Sequence, residues 1–135
     1  MKIFVYYWLP VIIFCVAIFT QSSYPSPEPT VEWPQLDKLI HFLAYAVLGI
    51  LFFRAYSTLN FGDGRFAVII LSILSSSLYG ASDEIHQYFV PFRDADLLDL
   101  AADIAGSVFG VLVFSSLTHL YLRKNLPEKE VRFLD

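Results

Sequence analysis

The chain has 135 residues, 56% hydrophobic and only 16% charged, with a mean hydropathy of +0.58 and a formal net charge of −4. A soluble domain carries about a quarter charged residues, so this composition, with its 13 Phe and 8 Tyr, predicts a single domain over residues 1–135 dissolved in a bilayer. The negative balance excludes a general nucleic-acid binder, which needs a basic face for phosphates. The lone Cys15 excludes an intramolecular disulfide, a Cys-based zinc site and a Cys redox motif.

Four apolar runs follow one another, and a membrane helix needs about 20 such residues. The first, IFVYYWLPVIIFCVAIFT, predicts a helix over about 3–20, kinked at Pro10. Lys2 before an apolar core also suits a secretory signal, but the run is long for one and no A-x-A site follows, so an uncleaved helix is expected. QSSYPSPEPTVEWP reads as an extended loop. The second helix is expected over about 39–59, carrying Arg54 near its end. The third apolar run stops at Ala81 and is short unless it continues into ASDEIHQY, which sets the expected helix at 66–88. The fourth is expected over 97–122. The expected fold is an all-α, integral membrane four-helix bundle, with room for a short helical or re-entrant segment between helices three and four.

Basic residues set the orientation. Lys2, Arg54, Arg65, Arg123, Lys124, Lys129 and Arg132 flank one side of the predicted spans. The first loop sets only Lys38 against Glu28, Glu32 and Asp37, and the third has only Arg93. The positive-inside rule therefore predicts both termini in the cytoplasm and the first and third loops outside. Tyr24, Trp33, Tyr88, Phe89 and Phe92 suit the outer interface.

The segment Ala81–Gly106 holds Asp83, Glu84, Asp94, Asp96, Asp99 and Asp103. At helical spacing, Asp37, His41, Tyr45 and Gly49 share one face of helix two; Gly80, Glu84 and Gln87 share one of helix three; and Asp99, Asp103, Gly106 and Gly110 share one of helix four. Ionisable groups at membrane depth face the bundle interior or a wet cavity, and small residues permit close helix approach. The three faces are expected to converge on a polar pocket open to the outside. Simpler roles compete. Asp96 can cap helix four with Asp99 in its first turn. Asp37 can cap helix two while Lys38 snorkels. Asp94 reads as solvated, and His41 as a satisfied polar group in the bundle. Glu84 and Asp103 resist such readings best: a helix ending near Ser82 would set Glu84 against its negative end, and Asp103 lies one turn inside helix four, too deep for a cap. His86 points elsewhere on its helix and is left out.

These residues carry a resemblance. DKLIHFLAY (Asp37, Lys38, His41, Tyr45), GASDEIHQYFVPFR (Gly80, Glu84, Gln87, Phe89, Pro91, Arg93) and DLLDLAADIAGSVFG (Asp99, Asp103, Gly106, Gly110) resemble the VanZ-like membrane protein family in blocks and order. The resemblance covers nearly the whole chain, including the Ser22-Ser23 step after helix one. It implies a small, multi-pass bacterial protein of the cytoplasmic (inner) membrane. Founding members are associated with low-level resistance to the glycopeptide teicoplanin, which implies a role in the cell envelope. One position departs from the pattern: Asp103 stands where the family commonly has Asn, adding an acid that would alter the charge or metal preference of the pocket.

Three functions are compatible with these features. The first is an extracytoplasmic enzyme acting on, or a protein binding, an envelope lipid or lipid-linked cell-wall precursor. In it Glu84 serves as general base or metal ligand, His41 as acid/base or ligand, and Asp99 and Asp103 as further carboxylates. Lys38, Arg93, Gln87, Asp37 and Tyr45 would bind the substrate, the two cations on an anionic head group. The second is a non-catalytic accessory protein whose polar residues form ion pairs, Glu84 with Arg93, and Asp99 or Asp103 with Lys38 or His41. The third is transport by a homo-oligomer assembled through the glycines of helix four. No nucleophile motif, H-E-x-x-H or phosphate loop is present, so whether the chain is an enzyme stays open. Cofactor and metal are unassigned: two carboxylates with His41 suit zinc, and a carboxylate-only set suits magnesium or calcium.

Overall fold

The computed structural model describes residues 2–25, 34–59, 64–93 and 95–125. Glu28, Glu32, Trp33, Asp94, Lys129 and Arg132, which entered the charge and interface expectations, lie outside them. The described residues form four helices: α1, Leu9–Ser22, preceded by a π-helical turn at Phe4–Trp8; α2, Pro34–Tyr56; α3, Gly64–Tyr88; and α4, Leu97–Asn125. All four, α1 taken together with its π-helical turn as Phe4–Ser22, are long and apolar enough to cross a membrane. Their outward faces carry Ile13, Val16, Leu43, Leu74, Leu78, Phe109 and Leu117, all exposed, as lipid-facing positions should be.

Local chemistry explains the boundaries. The disturbance expected at Pro10 takes the form of the π-helical turn just before it, where the Leu9 N–H reaches back to the Phe4 carbonyl. The widened turn precedes the point where the proline ring removes a donor and crowds the carbonyl four residues back. Helix α3 does run past Ala81 into the acidic stretch, ending at Tyr88. No helical or re-entrant segment is present among the described residues between α3 and α4. The link is made of turns, with Arg93 N–H bonded to the Val90 carbonyl and Phe92 at φ 63°. Asp96 is the cap of α4: its Oδ1 accepts the Leu98 N–H at 2.8 Å, and its carbonyl accepts the N–H groups of Asp99 and Leu100.

The closest seam joins α2 to α4. A Cβ on Gly106 would run into the Phe42 carbonyl, and one on Gly110 into the Ala46 carbonyl. Gly49 faces the Ser107 carbonyl and Val111 from the other side. Both helix-four glycines are buried in this seam. They are used inside one chain and offer no face to a second copy, which removes the glycine argument for assembly.

Candidate functional site

The close α2–α4 seam and the long α3 bring the polar faces together at the end of the bundle that carries the α1–α2 and α3–α4 connections. Asp83, Glu84, Gln87, Asp99 and Asp103 are buried there, as is Tyr45. Lys38 Nζ donates to Asp96 Oδ2 at 2.6 Å and lies 2.6 Å from Asp99 Oδ1, with Asp37 further off at 3.7 Å. The ammonium hydrogen-bonded to Asp96 and the Leu98 N–H hold that exposed carboxyl below the ordinary range. His41 Nδ1 lies 2.9 Å from Asp103 Oδ1. Two of the contacts anticipated for a structural network are therefore formed, the Asp99–Lys38 ion pair and a hydrogen bond between His41 and Asp103.

The third is not. Arg93 turns away from Glu84, donating from Nε to the Tyr24 carbonyl at 3.0 Å and from Nη2 to the Gln21 carbonyl at 3.3 Å. It closes off carbonyls at and beyond the C-terminal end of α1, where a cation meets the negative end of the helix. Glu84 instead accepts the backbone N–H of Asp96 through Oε2 at 2.9 Å. In a capping box the residue three places into the helix supplies that acceptor. Here that residue, Asp99, is engaged by Lys38, and a carboxylate from α3 takes its place.

Helix α1 completes the site, which the three-face expectation did not include. Ser22 donates to Asp83 Oδ2 at 2.8 Å, and Gln87 Nε2 donates to the same oxygen at 3.0 Å. Tyr79 donates to the Cys15 carbonyl. His86 stacks on Phe19 and bonds Ser23 at 3.0 Å, so it serves the α1 contact. Gln87 thus sides with Asp83, one residue round α3 from Glu84. A cavity of about 380 Å³ opens beside this contact. Its lining is apolar at Ala17, Ile18, Ile40 and Ala44 and polar at Gln21, Ser22, Asp37, His41, Tyr45, Asp83, Gln87 and Arg93. Glu84, Asp99 and Asp103 do not line it. The single expected pocket is two adjoining regions, a cavity toward α1 and a carboxylate cluster toward α4, with His41 and Tyr45 bordering both.

Beneath the cluster a buried serine row continues the polar face. Ser107 Oγ lies within hydrogen-bond reach of both the Asp103 carbonyl and Ser76 Oγ, each at 2.8 Å. Asp83, Ser22, Ser76 and Ser107 were missed from sequence. Two of them carry a signal: Ser72, Ser76 and Gly80 recur every four residues ahead of Glu84, and Ser107 follows Asp103 by four.

Apart from Asp99 Oδ1, which meets the Lys38 ammonium at 2.6 Å, three buried oxygens of the cluster among the described residues have no hydrogen-bond partner: Tyr45 Oη, Glu84 Oε1 and Asp103 Oδ2. Gly80 makes the room for the last of these, since a Cβ there would stand 2.9 Å from Asp103 Oδ2 and 3.1 Å from Tyr45 Cε1. Fixed carboxylates beside an imidazole can move a proton or hold a cation.

No curated protein and no solved structure matches the chain. The family model described as VanZ/LLP1 matches residues 4–119, which take in all four helices up to the last turns of α4 and every site residue named above. The chain belongs to the VanZ/LLP1 family of membrane proteins.

Proposed function

We propose that this protein binds, and through its acidic/His cluster acts on, an envelope lipid or a lipid-linked cell-wall precursor at the extracytoplasmic face of the bacterial inner membrane. The observation that carries the reading is the mixed lining of the cavity, apolar at Ala17, Ile18, Ile40 and Ala44 and polar at His41, Tyr45, Asp83 and Arg93 among others. A lipid has that division in its own chemistry, an acyl or prenyl chain joined to a polar head, and ligand sites are typically apolar with a few convergent polar groups. His41 borders both the cavity and the carboxylates, so a head group lying against it would meet a proton carrier oriented by Asp103. Arg54, Arg65, Arg123 and Lys124 lie at the opposite end of the helices, which favours both termini in the cytoplasm and the cavity outside.

The accessory reading has its own support in the Lys38–Asp99 and His41–Asp103 pairs. Mass spectrometry of extracted lipids and cell-wall precursors separates the two. Cells lacking the protein are compared with cells complemented by wild type or Glu84→Gln at matched membrane levels. A species that accumulates in the deletion and stays high with Glu84→Gln supports action on that species. Equal restoration by both proteins makes Glu84 structural and favours the accessory role. A deletion that changes no lipid or precursor defeats the proposal under those growth conditions.

A further inference from the structure

We propose that His41, Glu84 and Asp103 form a buried site for a divalent transition-metal ion of the zinc class. Asp83, Glu84, Asp99 and Asp103 are all buried at one end of a membrane bundle, and the single ammonium within ion-pair distance of any of them is Lys38, among the described residues. Arg93, the other nearby cation, is bound to backbone carbonyls of Tyr24 and Gln21. Buried carboxylates in a membrane need a compensating charge or a proton.

Geometry says where a cation would sit. Two groups in this region bring one donor atom from each of three residues within 4.8 Å of one another: Asp37, His41 and Asp99, and His41, Glu84 and Asp103. The first group already holds a cation, the Lys38 ammonium, 2.6 Å from Asp99 and 3.7 Å from Asp37. In the second group, among the described residues, no Lys or Arg lies within ion-pair distance of Glu84 or Asp103. Its carboxylates are 0% and 6% exposed for Asp103 and Glu84, and each keeps one oxygen without a hydrogen-bond partner, Asp103 Oδ2 and Glu84 Oε1. Asp103 Oδ2 points at α3 beside Gly80, one helical turn from Glu84, so the unpartnered oxygen faces the helix that supplies the other one.

The remaining contacts resemble those that orient metal ligands. Glu84 Oε2 is held by the Asp96 N–H, and Asp103 Oδ1 holds the imidazole through Nδ1. Nδ1 is the ring nitrogen on the Asp103 side, so a metal shared with Asp103 takes the place of the proton between them and binds Nδ1, releasing that proton. One imidazole and two carboxylates are a donor set for zinc or manganese; magnesium and calcium prefer oxygen alone. Three protein ligands leave a coordination position open, as catalytic zinc sites do. Tyr45, whose Oη is buried without a partner, borders the space beside Gly80 that Asp103 Oδ2 also faces. This inference stands whether or not the ligand of the cavity is a lipid.

The test uses the full chain without a polyhistidine tag, in detergent or nanodiscs, stripped with a chelator and reloaded with zinc, manganese, magnesium or calcium. Elemental analysis after gel filtration is expected to find about one zinc per chain in wild type, and competition with a chromophoric indicator gives its affinity. Asp103→Asn and Glu84→Gln are each expected to weaken zinc by at least about tenfold, with helical content and elution volume unchanged, while Asp37→Asn retains it. Monodisperse wild type that retains no transition metal overturns the proposal, as does equal affinity in Asp103→Asn, Glu84→Gln and wild type. Should those variants fail to fold, paramagnetic resonance of cobalt- or copper-loaded wild type decides. Coupling to one imidazole nitrogen is expected, and its absence overturns the site.

Discussion

The two ends of this bundle treat charge in opposite ways. At the end carrying Arg54, Arg65, Arg123 and Lys124, the cations meet neutral partners or solvent. Arg65 donates to the Ser115 hydroxyl and carbonyl, and Arg54 lies 5.7 Å from the centre of the Tyr7 ring. At the other end carboxylates are buried and locked, Asp99 on Lys38, Asp103 on His41, Asp83 on Ser22 and Gln87. Long basic side chains snorkel to water from a helix end at little cost. Short carboxylates one turn inside a helix cannot, and have to be accommodated by neighbouring helices. The basic end needs little from its neighbours, whereas the acidic end is constructed by them.

That contrast rests first on the α2–α4 seam, so the largest expected effect is there. Gly106→Leu drives a side chain into the Phe42 backbone and is expected to cost about 3 kcal/mol or more, read as loss of the folded form in detergent-induced unfolding. Unchanged unfolding would mean the seam does not assemble the acidic end. Asp99→Asn comes next. It leaves Lys38 with Asp96 alone at close range, and is expected to cost about 2 kcal/mol, between the values for buried and exposed pairs. The smallest effect belongs to the other end. Arg54→Gln removes an exposed cation–π contact and is expected to change stability by about 0.5 kcal/mol. A cost for Arg54→Gln equal to that of Asp99→Asn would erase the distinction between the ends. Replacing Arg54, Arg65, Arg123 and Lys124 together by Gln is expected to scramble insertion instead, seen by impermeant labelling of a cysteine introduced at Ser57 in a Cys15→Ser background.

Much of the architecture was legible before any coordinates. Runs of about 20 apolar residues admit few structures in a bilayer other than helices, because every backbone polar group must be satisfied within its own segment. The extension of α3 through Glu84 was legible because a helix stopping at Ser82 would set that carboxylate against a negative helix end. The glycines of α4 were legible as a contact, though not which helix they touch. Asp83 was hidden by its neighbour: adjacent residues on a helix point about 100° apart, and the side each faces depends on which helix packs there.

The sequence by itself determined four membrane helices, their charge asymmetry and the faces on which His41, Glu84 and Asp103 lie, since these follow from composition and a period of 3.6 residues. Tertiary structure alone decided who meets whom. It turned Arg93 to α1 and gave Glu84 the cap of α4. It brought Ser22 to Asp83, and divided one expected pocket into a cavity and a carboxylate cluster. Periodicity fixes a side chain's direction about its own axis, but the packing angle and depth of neighbouring helices, set here by Gly106 and Gly110 against α2, fix what lies in that direction.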